Sequence, residues 1–182
     1  AAPHAARMLS LDAIKVGGDG VEAAVAKWLK KAQRACKGEP LGAIVCEPKL
    51  DGLSVSLRYE DGALVQAATR GDGVQGDDVT ANARAVAGVV ESLDARGAVE
   101  IRGEVCVAVD AFREMAGADA ANPRNYAAGS LRQSDAEETR RRRLRFVAHD
   151  AVGDAVGNAS FAEKRDALDG WGFEAALPAR VV

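Results

Sequence analysis

The sequence predicts an α+β domain in which antiparallel sheets are flanked by helices. Three observations lead there. The run 53–59 alternates in the strand period and returns as 63–69 after Asp61-Gly62, a strong hairpin turn. Two further strand-like runs lie at 99–107 and 144–150. Helical stripes with boxed starts lie towards the two ends, from Asp19 and from Ser160.

In chain order, Met8-Leu9-Ser10-Leu11-Asp12 is a short apolar segment suited to packing beside a pocket. Asp19 and Glu22 have capping-box spacing, and Val21, Val25, Trp28, Leu29, Ala32 and Cys36 follow a 3.6-residue stripe. Lys37-Gly38 ends this helix with a cation for the dipole and a glycine for a left-handed cap. Lys27, Lys30, Lys31 and Arg34 form its solvated side.

Leu41 to Cys46 reads as a buried strand leading into Cys46-Glu47-Pro48-Lys49-Leu50-Asp51-Gly52, the stretch around which the chain is organised. Residues two apart in an extended backbone point the same way, so Glu47, Lys49 and Asp51 share one face. A lysine between two acids has two readings. One is a salt bridge. The other is a nucleophilic amine, which must lose its proton before it attacks. K-x-D-G alone does not choose between them.

From Leu53 the pattern places Leu53, Val55, Leu57 and Tyr59 on one face and Ser54, Ser56 and Arg58 on the other. Arg70 to Thr80 follows, with Gly71, Gly73 and Gly76 suiting either a tight turn or a close approach of backbone to a ligand. Asp77 or Asp78 is placed to cap a short helix running to about Val86. In the strand 99–107, Val99, Ile101, Val105 and Val107 form the buried face, opposite Glu100, Arg102, Glu104 and Cys106. Gly103 marks a bulge or a close ligand approach. Asp110 to Met115 is a short helix.

Asn122 to Gln133 has little periodicity, and its Arg124 and Arg132 suit fork-like binding of anionic oxygens. The run Arg140 to Arg143 with Arg145 reads first as solvated surface, and second as a phosphate-backbone contact. Ser160 and Glu163 box a last helix carrying Phe161, Leu168 and Trp171. No repeat or linker divides residues 1–182, which are read as one domain.

The composition is that of a globular chain, 48% hydrophobic and 28% charged, with aromatics at 4%, so Ala, Val and Leu must build the core. A net charge of -3 argues against a basic footprint over the whole domain. No apolar run reaches membrane-spanning length. Three widely spaced cysteines and two histidines argue against a zinc site, a disulfide framework and a Ser-His-Asp triad, and point to a reducing compartment. Because the sequence begins at Ala1, a leading segment, domain or tag is expected to have been removed. That compartment would be cytoplasm or nucleoid if the source is bacterial, or an organelle matrix or stroma if a leading segment was removed.

Taken together, these stretches resemble the adenylation (nucleotidyltransferase) domain of bacterial-type NAD-dependent DNA ligases. The matching pieces are Met8 to Asp12, Glu47 with Lys49-Leu50-Asp51-Gly52, Ala68 to Gly73, Gly76 to Asn82, Arg102-Gly103-Glu104-Val105, and Asn122 to Gln133. They occur in the family's order over nearly all of the chain. The resemblance implies a nucleotidyltransferase (ATP-grasp-like) fold. It also implies that Lys49 attacks the α-phosphate of NAD, releases nicotinamide mononucleotide and holds AMP until it passes to the 5′-phosphate of nicked double-stranded DNA. On the same basis Asp51 assists Lys49 and the metal-bound phosphate, with Mg²⁺ as the metal. Glu47 contacts adenine, Glu104 the ribose, and Arg70, Arg124 and Arg132 the phosphates. Ser10, Leu11 and His149 complete the nucleotide-binding set.

The sequence also departs from the family pattern. Pro48 stands beside the lysine, His149 replaces a tyrosine that stacks on adenine, Asp150 a glycine, and Tyr126 an alanine. Residues 1–182 are expected not to include the family's last two lysine motifs or its nicotinamide-mononucleotide, OB-fold, zinc, helix-hairpin-helix and BRCT parts. A partial adenylation domain, incompetent in isolation, is the expected reading. The alternative is a ligase-derived structural subunit that binds protein partners in a larger, organellar assembly.

Overall fold

The computed structural model describes residues 1–10, 14, 20–37, 39–115, 121–174 and 180–181. The chain falls into two compact units: one of residues 1–8 with 49–177, the other of 9–48 with 178–182. In chain order the elements are β1 (Ala2–Pro3), α1 (Gly20–Ala35), β2 (Val45–Cys46), β3 (Leu53–Glu60), β4 (Ala63–Thr69), β5 (Gln75–Gly76) and α2 (Thr80–Ala83). Then come β6 (Ala98–Cys106), α3 (Val109–Met115), α4 (Pro123–Leu131), α5 (Ala136–Arg141), β7 (Arg145–Gly153), α6 (Phe161–Gly170) and β8 (Arg180–Val181). This is a mixed α/β architecture with antiparallel sheets, as the alternating runs lead one to expect.

The larger unit is built on a four-stranded antiparallel sheet in the order β4-β3-β6-β7. Asp61 and Gly62 both take positive φ, 46° and 83°, the conformation that lets a two-residue turn follow the twist of its strands. One face is the core: Val55, Leu57 and Tyr59 from β3, Val99, Ile101 and Val105 from β6, and Phe146, Ala148 and Ala151 from β7 are all buried. Phe173 packs edge-on against both Tyr59 and Phe146. Leu131 of α4, Leu168 of α6 and Leu144 complete it. Each fully buried leucine contributes about 1.5–3 kcal/mol of transfer free energy. The buried face read from the alternation of 99–107 is the one observed.

The opposite face is polar yet partly covered. The segment Ala1–Met8 lies over it, pairing β1 with β5. Ala5 N–H donates to Glu100 Oε2 at 2.8 Å, and Arg102 Nη2 donates to the Ala6 carbonyl at 2.7 Å. Glu100 is 2% exposed and also accepts from Arg102 Nε at 2.9 Å. A carboxylate so deep is tolerated because its oxygens are paired with a cation and a backbone donor.

Gly103 marks a bulge. Opposite Arg102 and Gly103, β7 pairs through Asp150 and Ala148, leaving His149 as the extra residue. A Cβ on Gly103 would sit 2.4 Å from Phe146 Cζ and 2.4 Å from the Val147 carbonyl oxygen. The close approach at Gly103 is therefore made by the core.

Several elements differ from expectation. Asn122 to Gln133, read as aperiodic, contains helix α4, whose N-cap Asn122 accepts from Asn125 N–H at 2.8 Å and whose Pro123 suits the first turn. Its buried residues Tyr126, Ala127, Ser130 and Leu131 include small and hydroxyl side chains, which hid the stripe. Helix α2 is shorter than the span to Val86, and Val79 occupies its N-cap position, although Asp78 still accepts from Thr80 N–H. The capping box of Ser160 and Glu163 is present as read.

In the smaller unit the expected buried strand from Leu41 to Cys46 is only Val45–Cys46, paired antiparallel with β8. Val45 is half-buried and Cys46 exposed, because a two-residue ladder cannot cover it. No described residue of α1 is buried. Lys37 itself takes the left-handed conformation at φ 52°, while Asp19 and Gly38, the expected caps, lie outside the described residues. All three cysteines are free thiols. Among the described residues no helix is long and apolar enough to cross a membrane.

Candidate nucleotide site

Strands β3 and β4 run antiparallel, so the start of β3 and the end of β4 lie together, and a cavity of about 190 Å³ opens beside them. Leu53, Ser54, Thr69, Arg70, Gly71, Asp77, Arg124 and Arg132 line it. Three of these, Arg70, Arg124 and Arg132, are the arginines singled out by sequence. They come from three places: the end of β4, the first turn of α4 and its C-cap.

The loop after β4 is held by its own backbone. Asp72 Oδ1 accepts from the N–H groups of Val74 and Gln75, which holds its carboxyl below the usual range. Thr69 and Asp77 exchange two hydrogen bonds: Thr69 N–H donates to the Asp77 carbonyl, and Asp77 N–H to Thr69 Oγ1, both at 3.0 Å. Gly71 has φ 55°, and a Cβ there would lie 2.0 Å from the Gln75 carbonyl oxygen. Of the two readings of this glycine-rich loop, the tight turn accounts for Gly71 in full.

Charge in the cavity is arranged in pairs. Arg132 Nε donates to Asp77 Oδ2 at 3.1 Å, and Arg124 Nη1 lies 3.7 Å from Asp51 Oδ1. Among the described residues the Arg70 guanidinium has no hydrogen-bond or ion-pair partner. Glu104, half-buried on β6, stands in register with Ser54 and accepts its hydroxyl proton. Lys49 is exposed, lies outside the cavity lining and has no ion-pair partner among the described residues. The salt-bridge reading of K-x-D-G thus finds no support, since Asp51 turns to Arg124 instead.

His149 is half-buried at the β7 bulge. Glu47 is half-buried and Ser10 exposed in the smaller unit, and Leu11 lies outside the described residues. Sequence reasoning assigned Ser54 only to a strand face and Asp77 to a helix cap. The signal for Ser54 was its place on the polar face of β3, and for Asp77 only its place in the Gly76 to Asn82 stretch.

The basic run at 140–145 is neutralised locally. Arg140 and Arg141 pair with Glu137 and Glu138, Arg143 with Glu114, and Arg145 with Glu174. Arg142 stacks over Tyr126, 5.6 Å from its ring centroid. The solvated-surface reading holds. The Tyr126 hydroxyl is buried with no hydrogen-bond partner among the described residues.

Residues 1–181 match the family described as NAD-dependent DNA ligase adenylation domain. The chain belongs to this family. The adenylation domain is 48% identical over 156 residues to the DNA ligase of Rhodopseudomonas palustris (strain BisB5), covering 80% of this chain and 21% of that protein. It is 46% identical over 190 residues to the DNA ligase of Sphingopyxis alaskensis, 97% of this chain and 23% of the relative. A Helicobacter pylori (strain Shi470) DNA ligase is 39% identical over 180 residues, 95% and 26%. The adenylation domain therefore spans about a quarter or less of the length of these curated relatives. No described feature favours a ligase-derived structural subunit.

Proposed function

We propose that this adenylation domain adopts a nucleotidyltransferase fold, with both compact units parts of one domain, and that it takes AMP from NAD onto Lys49. The observation that carries this reading is the convergence of Arg70, Arg124 and Arg132 on one cavity at the start of β3. That strand begins four residues after Lys49. The unprotonated Lys49 Nζ attacks the α-phosphorus of NAD. A P–N bond forms as the P–O bond to nicotinamide mononucleotide breaks, and the mononucleotide leaves with the electron pair. Little covalent ingenuity is required of the protein. Its part is to hold the phosphoryl group in line and to stabilise charge on its oxygens, which guanidinium groups do bidentately.

By resemblance, Glu104 holds the ribose and Glu47 the adenine, Asp51 assists Lys49 and the metal-bound phosphate, and Ser10, Leu11 and His149 belong to the nucleotide-binding set. The hydrogen bond from Ser54 supports the role of Glu104, because it fixes a carboxylate oxygen at the cavity wall. Mg²⁺ is a different matter. Among the described residues no group of three His, Cys, Asp or Glu side chains could hold a metal, and Mg²⁺ would instead be held chiefly by the nucleotide's phosphates with one or two carboxylates, Asp51 by resemblance. The adenylate then passes to the 5′-phosphate of a DNA nick, and the 3′-hydroxyl displaces it.

Intact-mass measurement and peptide mapping with NAD and Mg²⁺ test the reading. One AMP on Lys49 is expected, in a yield far below that of a full-length relative because residues 1–182 do not include the family's remaining motifs, with nicotinamide mononucleotide released, and Lys49→Ala abolishes it. Lys49 is the only lysine between Lys37 and Lys164, so the site is unambiguous. No adduct together with no AMP affinity would overturn it.

A further inference from the structure

The Arg70 side chain has no partner of its own among the described residues, so its direction is set by its backbone. That backbone is tied on both sides. Arg70 N–H donates to the Ser54 carbonyl at 3.0 Å, and its own carbonyl accepts from Gly73 N–H at 2.9 Å. A further group reaches the same carbonyl from 66 residues away: His4 Nε2, at 3.1 Å. His4 Nδ1 is 3.0 Å from Ser56 Oγ. A carbonyl only accepts, so Nε2 carries a proton, and in the neutral ring Nδ1 then accepts from the Ser56 hydroxyl. Ser56 is buried on β3, two residues from the cavity-lining Ser54.

His4 is itself fixed. Its N–H donates to the Val74 carbonyl at 3.0 Å, Met8 N–H donates to the Gly73 carbonyl at 2.9 Å, and β1 pairs with β5. The imidazole is therefore a strut between the sheet and the peptide that carries Arg70. We propose that His4 is a positioning residue, holding Arg70 in the direction that meets the nucleotide's phosphate. The inference rests on the adenylation reading for the identity of the ligand, but not for the strut itself.

Two measurements on the chain separate the possibilities, with His4→Leu removing the donor and His4→Gln restoring an N–H. The first needs no ligand: the Arg70 Nε–H resonance in ¹⁵N spectra. It is expected to shift and broaden in His4→Leu and to return towards wild type in His4→Gln, while hydrogen exchange of residues 71–76 stays protected by the remaining backbone bonds. The second compares AMP with adenosine. His4→Leu is expected to weaken AMP about three- to tenfold and leave adenosine unchanged, since only the phosphate meets Arg70. A resonance unmoved in His4→Leu would overturn the strut. Equal loss of AMP and adenosine, or loss not rescued by His4→Gln, would mean a merely structural role and overturn it too. A wild-type chain that ignores AMP while the resonance still responds would sink the adenylation reading and the proposed phosphate role, leaving only the Arg70 contact.

Discussion

The Ser54 hydroxyl donates to the Glu104 carboxylate across the β3–β6 pair, where the two residues stand directly opposite. The bond joins a cavity-lining side chain to a carboxylate on the neighbouring strand, and removing it leaves Glu104 free to rotate. Ser54→Ala is expected to weaken AMP binding by about 0.5–1.5 kcal/mol by calorimetry, with little change in melting temperature. Unchanged affinity would show that Glu104 does not depend on Ser54 for its place.

Glu100 joins the sheet to the amino-terminal segment through Arg102 and Ala5. Glu100→Ala leaves Arg102 largely buried without its carboxylate, and should cost about 3–5 kcal/mol in urea unfolding. Glu100→Gln, which still accepts from Ala5, should cost less. Limited trypsin digestion at Arg7 should accelerate in the alanine variant.

At Gly103 there is no room for a methyl group between Phe146 and the Val147 carbonyl. Gly103→Ala should destabilise by about 1–3 kcal/mol, read as a lower denaturation midpoint at unchanged slope. A neutral result would mean that β7 can shift outward at its bulge.

Acid should loosen the loop that carries Arg70. Hydrogen bonds from the Gln75 and Val74 N–H groups hold Asp72 below its ordinary value of 3.8. The ionised form is thus favoured in the fold, and its contribution is present above that value and lost as pH falls through the lower folded one. The melting-temperature gap between wild type and Asp72→Ala should be constant near neutrality and close only below about pH 4. A gap independent of pH would show that Asp72 acts without its charge.

What was legible in the sequence followed physical period. Val55, Leu57, Tyr59, Val99, Ile101 and Val105 alternate because one sheet face is core, and Asp61-Gly62 declares its turn by conformation. Helix α4 was hidden because its inward positions include Ala127 and Ser130, which carry little hydrophobic signal. The segment Leu41 to Cys46 misled for the opposite reason: it is apolar, but only two of its residues have a ladder to join. In the site, the arginines were found by residue type, whereas Ser54, Thr69 and Asp77 gain meaning only from strands that meet in space. His4 gave no signal at all, since its partners lie 52 and 66 residues away.

Two of the three cavity arginines carry tethered counter-ions, Asp51 on Arg124 and Asp77 on Arg132. Seen from a Debye length away, about 8–10 Å in ordinary buffer, each pair cancels, and the cavity projects at most the charge of Arg70. Such a surface exerts little pull on a distant anion. A phosphate is chosen after contact, by exchanging with a carboxylate already in place, so salt should alter its arrival rate little and its residence time should carry the discrimination.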